Sequence, residues 1–509
     1  MMMKISASFF IACLQQSANA LTKTSTSSYG YQRKAPHDRK FDGTQNWELL
    51  KQGTKHFTPR HSHATTIFKC PNSPSEQCLW LTGGFSEPHR TWDLEIENEN
   101  ADAWWSQDGE TWHQVTDLDG DFLRGVGNWD AKPGSHVAPW YSRYGHSLDA
   151  LDGDADGSAD VMVLAGGNSP MPSNDVWISR NGRYWNYDGK APWSARAYHA
   201  SVVYKKKLWI LGGTPLSNDV WVGSLVKDPT RDAGYTMEWS KEKEAPWTSR
   251  AGMCAVSQQR NVNATDGVAQ VEYLYVIGGF AQTNDGIHTE NDVWKWDGST
   301  WKEIQPANNA TSMPWRGRAF HGCATWNSLT NRARWVADDS SMHLNIGNLS
   351  DDSTAPRIFI TGGGYMGTKG NNEVRSFEAY SDTWWSSDGS TWYRVNYEEG
   401  SRYKDNIYST NEWTETTVDG KKTYRGKWGH TLEAFHATQD IDLDEKIATT
   451  NVSLNICTVS DSSACKRISV VESRIPTLFT IGGKSENGPM VNDVFASRQG
   501  SELILINTA

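Results

Sequence analysis

The stretch of this chain richest in chemistry is "DGDADGSAD", residues 152–160. Carboxylates stand at Asp152, Asp154, Asp156 and Asp160, Ser158 adds a hydroxyl, and Gly157 permits a sharp turn. Calcium is a hard cation that takes six to eight oxygens, and alternate acidic residues on a tight loop can converge on one point. Four carboxylates so close together repel one another without a counter-charge. An EF-hand would need a glutamate at its twelfth position, where this chain has Val163, so the loop is not an EF-hand. The expectation is a structural calcium loop; the plainer alternative is a solvated acidic turn. "DLDGD" at 117–121 and "DIDLDEK" at 440–446 are weaker echoes and carry no assignment.

A second series is basic. Arg60, Arg143, Arg196, Arg250, Arg318 and Lys427 each open a short apolar segment. Three residues after each comes a histidine: His63, His146, His199, His321 and His430, with Met253 in the fourth case. Six cations around a channel mouth would suit carboxylates, acidic sugars included. The plainer reading has each one bonding carbonyls of its own or a neighbouring element. A catalytic histidine has no need to recur, whereas a packing histidine does, so the histidines read as structural.

The elements that position these residues repeat. "ADAWWSQDGETW" at 101–112 returns as "SDTWWSSDGSTW" at 381–392, and "NDVW" phrases stand at matching places between them. Each unit runs from the basic residue through a Gly-Gly pair to a tryptophan-rich hairpin. The pairs are Gly83-Gly84, Gly166-Gly167, Gly212-Gly213, Gly278-Gly279, Gly362-Gly363 and Gly482-Gly483. Asp-Gly supplies the positive φ of a tight turn, and the tryptophans are bulky, rigid fillers. The tightest units span 53 and 54 residues, near the repeat length of about 50 known for one class of arrays. Longer units carry insertions around 113–140, 325–355 and 393–426.

With its opening arginine, Gly-Gly pair and strand-four tryptophan, the unit resembles the kelch repeat over about residues 41–509. The resemblance implies an all-β fold: a single-domain, six-bladed kelch-type β-propeller with four antiparallel strands per blade, seven blades being the alternative count. It implies a central channel lined by the first strand of each blade, the default ligand site. The Asp152–Asp160 loop resembles the calcium loops of integrin-type propellers. The hairpin phrase is similar to the Asp-box of sialidases but one residue shorter, and is read as structural. Either the strand around Trp47 or the segment 497–503 closes the last blade, with the former favoured.

The chain has 509 residues, a net charge of −11 and 21% charged residues, which argues against a nucleic-acid face. Its 26 tryptophans and 44 glycines fit many short strands and tight turns. Residues 1–20 read as a secretory signal ending in Ala18-Asn19-Ala20, and 21–40 as a disordered segment. No later run approaches the ~20 apolar residues of a membrane span. Six cysteines remain, allowing 15 pairings. Cys70 with Cys78 and Cys457 with Cys465 are close enough to staple hairpins, leaving Cys254 with Cys323. Sequons at Asn263, Asn309, Asn348 and Asn451 agree with export and mark glycosylation sites.

The functional expectation is a secreted, monomeric binding module for a protein or glycan partner, with aromatics such as Trp129, Trp335, Tyr403, Tyr408 and Trp413 on its inserted loops. The alternative is a carbohydrate-active enzyme with its site in the channel. It would be like the kelch proteins that interconvert sialic acid anomers or, with less support, galactose oxidase, which needs copper and a cysteine–tyrosine cross-link. No nucleophile, phosphate-loop or metallohydrolase motif is present.

Overall fold

The computed structural model describes residues 56–86, 100–115, 140–326 apart from 170, 265–266 and 285, and 356–394 apart from short gaps; it also describes 426–435, 478–485, 490–497 and a few outlying strands. The residues expected to form the signal and the segment 21–40 lie outside that description. Among the described residues the fold is all-β. It contains several four-stranded antiparallel sheets, as in a propeller-like arrangement, and no α-helix. No described helix is long and apolar enough to cross a membrane.

Each repeat unit forms one sheet. The inner strands are Ala64–Lys69, Ser147–Leu151, Ala200–Tyr204, Cys254–Ala264, Gly322–Trp326 and Thr431–Ala434. Each pairs antiparallel with the strand that ends in Gly-Gly, and two further strands follow outward. In the sixth sheet the outermost strand is Trp47–Leu49, which pairs with Met490–Ser497 through Trp47 opposite Ser497. The strand Ser501–Asn507 goes elsewhere. It joins Asp461–Arg474 antiparallel and Arg332–Ala337 parallel, in a separate five-stranded sheet built from inserted segments.

One side chain ties each sheet together. Arg60 donates from Nη1 to the Gly83 carbonyl at 2.7 Å, from both Nη atoms to Asp102, and from Nε to the Thr58 carbonyl. It thereby joins the starts of strands one and three to the end of strand two. Arg143–Asp175, Arg196–Asp219, Arg250–Asp292 and Arg318–Asp382 repeat the arrangement at 2.6–2.8 Å. These bidentate or charge-assisted bonds are the strong kind. The same aspartates accept from the indole two residues on, as Asp175 does from Trp177. That contact accounts for the "NDVW" phrase.

The sheets are joined by two sets of backbone bonds. The second glycine of each Gly-Gly pair donates to the carbonyl of the next unit's basic residue, from Gly84 to Arg143 around to Gly483 to Arg60. Inside them runs a cycle of six. Ser62 N–H donates to Gly429 O, Gly145 to Ser62, Tyr198 to Gly145, Gly252 to Tyr198, Phe320 to Gly252, and Gly429 to Phe320, all at 2.7–2.9 Å. All six residues have φ between 54° and 65°, a region that ordinary residues enter at a cost of about 1–2 kcal/mol. Glycine alternates with a side chain because the neighbours leave no room: a Cβ on Gly145 would sit 3.0 Å from the Tyr198 ring, and one on Gly252 3.0 Å from Phe320.

Tryptophans fill the outer space. Trp140 packs edge-on against Trp185 at 4.7 Å, Trp247 against Trp301 at 4.7 Å and Trp315 against Trp392 at 5.8 Å. The hairpin turns use Gly109 and Gly389 at φ 77° and 81°. Their aspartates, Asp108 and Asp388, accept backbone N–H bonds across the turn.

The arginine pairs generate a stability test. Burial alone would raise the Asp219 carboxyl, but hydrogen bonds from Arg196, Ser217 and Trp221, with the Arg196 charge, hold it at about 2. Asp175 is held at about 2 in the same way. These folded-state values lie below those of the unfolded chain. The stabilisation is therefore complete above about pH 4 and is lost as pH falls towards about 2. Asp219→Ala strands the Arg196 charge. It is expected to cost about 3–5 kcal/mol in urea unfolding at neutral pH, and to flatten the acid limb of the stability profile.

Candidate functional site

The inner strands enclose a cavity of about 610 Å³, lined by five successive residues of each, from His63–Ile67 to His430–Ala434. The backbone cycle of six lies one residue before this lining. Over the cycle sits an aromatic collar in which Tyr198 and Phe320 meet edge-on at 5.0 Å and Trp428 packs on Phe320 at 5.9 Å.

The first layer of the cavity is the recurring histidines. His146 hydrogen-bonds Thr82 of the preceding sheet at 2.9 Å, His63 bonds Thr431 at 3.3 Å, and His321 lies 3.1 Å from Cys254 Sγ. Burial lowers His199 and His430 to about 3, helped by the charges of Arg196 and Lys427 respectively. His63, His146 and His321 are likewise held well below the usual range, by burial and then by the nearby arginines. These histidines are neutral packing groups.

The basic series does not line the cavity. Arg60, Arg143, Arg196 and Arg318 are at most 1% exposed and Arg250 is 2% exposed, all bonded within their sheets. Lys427, in the sixth, is equally buried. Burial lowers its amine to about 8, against the charge of Asp493, which stands where the other units keep their paired aspartate. The expected cationic ring is thus turned into the protein by its own carboxylates. No lysine or arginine is among the residues lining the cavity.

What lines it instead is a pair of carboxyls that the sequence reading passed over. Asp149 and Glu433 each lie six residues beyond their basic residue, on the inner strands either side of the first sheet. The matching positions hold Thr66, Val202, Val256 and Ala324. Asp149 is 9% exposed and accepts from the Ser201 hydroxyl at 3.1 Å, while Oδ2, with the Ser147 hydroxyl nearby, makes no hydrogen bond of good geometry. Glu433 accepts from Thr65 at 2.5 Å. Burial pushes both up to about 7, and the Asp149 charge adds to the rise at Glu433. Acidic residues in an otherwise apolar or hydroxyl-bearing register position were the available signal.

The acidic loop divides. Ligand oxygens of Asp152, Asp154 and Asp156 lie within 4.8 Å of one another, a spacing that suits one cation. Asp160 is not in that set; its Oδ2 accepts from the N–H groups of Gly153 and Asp154 and from the Tyr235 hydroxyl. Ser158 donates its backbone N–H to Asp156, and Lys206 Nζ stands 3.0 Å from Asp152 Oδ2.

Disulfides join Cys70 to Cys78 and Cys254 to Cys323, the second bridging inner strands of the fourth and fifth sheets. Cys457 and Cys465 lie opposite one another in register; their side chains are outside the described residues. Asn309 is exposed, Asn263 ends an inner strand, and Asn348 and Asn451 lie outside the description. So do Trp129, Tyr403, Tyr408 and Trp413.

No family model and no curated protein matches the chain. Among solved structures it is similar to that of YjhT, at 13% identity over 88% of this chain and 96% of that one, with a TM-score of 0.41.

The carboxyls carry a pH signature of opposite sign to the arginine pairs. Between about pH 4 and 7 the folded protein keeps protons that the unfolded chain releases, so their contribution destabilises as pH rises. The double variant Asp149→Asn, Glu433→Gln is expected to melt above the wild type near pH 8 and to match it near pH 4. A melting series across that range checks it.

Proposed function

We propose that this chain is a secreted, six-bladed kelch-type β-propeller that acts as a binding module and takes a glycan in the cavity on its axis. The observation that carries the reading is the cavity itself. Its walls are neutral histidines, hydroxyls and apolar groups from six inner strands, with two hydrogen-bonding carboxyls and no lysine or arginine. Such a surface offers donors and acceptors to a neutral polyhydroxy ligand. It offers nothing to offset the charge of an acidic sugar, because the arginines are already paired. The closed cycle of backbone bonds and the pairing of Trp47–Leu49 in the sixth sheet support six blades.

A second reading, a carbohydrate-active enzyme, is favoured by one observation. Asp149 and Glu433, both near 7, are poised to exchange protons at neutral pH. The galactose oxidase-like variant loses its support, since every cysteine whose side chain is described is in a disulfide.

The convergence of Asp152, Asp154 and Asp156 supports a structural calcium there, displacing the Lys206 amine from Asp152. Its role is to hold the hairpin between the first two strands of the second blade.

Thermal melting against neutral and acidic sugars tests the channel. A neutral sugar at 100 times its Kd is expected to stabilise by ~2.7 kcal/mol, and acidic sugars by much less. Shifts with acidic sugars alone would sink the reading. In the same assay a calcium chelator is expected to lower the melting temperature of the wild type and to leave Asp154→Asn unmoved. An unchanged wild-type melt would remove the calcium assignment.

A further inference from the structure

We infer that the ligand of the axial cavity carries a protonated amine, held between the carboxyl groups of Asp149 and Glu433; this rests on the channel reading above. The two groups stand at the same register position, on inner strands that flank one and the same neighbour, Ala64–Lys69. They face a common space of about 610 Å³.

The other charged and titratable groups around that space supply no counter-charge. From the first sheet come Thr65 and His63, from the second Ser147 and His146, and from the third Ser201 and His199. The fourth and fifth contribute the Cys254–Cys323 disulfide and His321, and the sixth His430. The histidines are neutral, and no lysine or arginine lines the wall. Ionising both carboxyls therefore builds up negative charge in a poorly solvated space, which is why both resist it. The hydroxyls satisfy only part of each group: Asp149 Oδ2 is buried with the Ser147 hydroxyl nearby but with no hydrogen bond of good geometry.

A bare metal ion does not answer this arrangement. Among the described residues the only set of three or more convergent acidic, histidine or cysteine ligand atoms is the Asp152 loop, not the cavity. An organic ammonium does answer it. It brings a diffuse positive charge with several N–H donors, and its carbon frame fills the remaining volume against Leu148, Val203 and Ile67. An amino sugar, with its charged nitrogen towards the two carboxyls and its hydroxyls towards Thr65 and Ser201, combines this requirement with the glycan reading. Binding such a cation draws both carboxyls into the ionised form, so it releases protons and tightens as pH rises to neutrality.

The test is calorimetric titration of the full chain with four probes at about pH 5 and pH 7, where an alkyl ammonium is fully protonated and an amino-sugar ammonium mostly so. The probes are glucosamine, glucose, N-acetylglucosamine and cyclohexylammonium. Glucosamine is expected to bind at least ten-fold more tightly than either neutral sugar at pH 7, and to lose most of that advantage at pH 5. The double variant Asp149→Asn, Glu433→Gln is expected to treat glucosamine and glucose alike, and the single variant Glu433→Gln to lose part of the preference. Equal binding of all three sugars at both pH values overturns the inference and leaves the channel reading standing. Binding of cyclohexylammonium without any sugar upholds the amine and overturns the glycan. No binding by any probe overturns both.

Discussion

The guanidinium at the start of five of the six units is the contact on which the rest depends. At Arg143 it donates four times: one N–H to the carbonyl that ends strand two, two to the aspartate that starts strand three, and one to its own approach segment. An arginine is needed because only a planar fork of donors reaches all of these at once. Its own carbonyl accepts the N–H of the preceding unit's second glycine. The same residue thus binds a sheet internally and couples it to its neighbour. Lysine at 427 cannot make the bidentate contact, and there burial disfavours its protonated form, against the charge of Asp493.

The coupling has a geometric cost, carried by backbone conformation. Two glycines per unit at positive φ, and then a third left-handed residue after the basic one, turn the chain so that its N–H and C=O point around the axis. Ser62, Tyr198 and Phe320 occupy that conformation with side chains, and the intervening glycines leave space for them. The result is a cycle of six bonds one residue before the cavity lining, which fixes the inner strands relative to one another at that end.

That arrangement also decides the electrostatics of the cavity. Pairing every arginine inside its sheet and holding the histidines neutral leaves the wall almost without charge. Two carboxyls in such a wall are then disproportionately influential, because low polarity strengthens whatever they interact with and penalises them when they have no partner. Here a small departure from the repeat, an acidic residue where others are threonine, valine or alanine, sets the character of the site.

Much of this was legible in the sequence, because repetition exposes function-free constraints. The all-β class, the sheet per unit and the turn glycines follow from residues recurring in one order, whereas the strand at Trp47–Leu49 is one of two candidates for the last sheet and only the register of the strands pairs it there. The sequence could also name the arginines, but not where they point: a cation on an inner strand can face a channel or a carboxylate. Only the tertiary structure brings Asp102 to Arg60 across 42 positions and Asp382 to Arg318 across 64. It alone brings Asp149 and Glu433, nearly three hundred residues apart, to either side of one strand. Local patterning determines which face a residue takes within its own sheet. Which charges share a cavity is a property of how the sheets pack around a common space, and no window of sequence contains it.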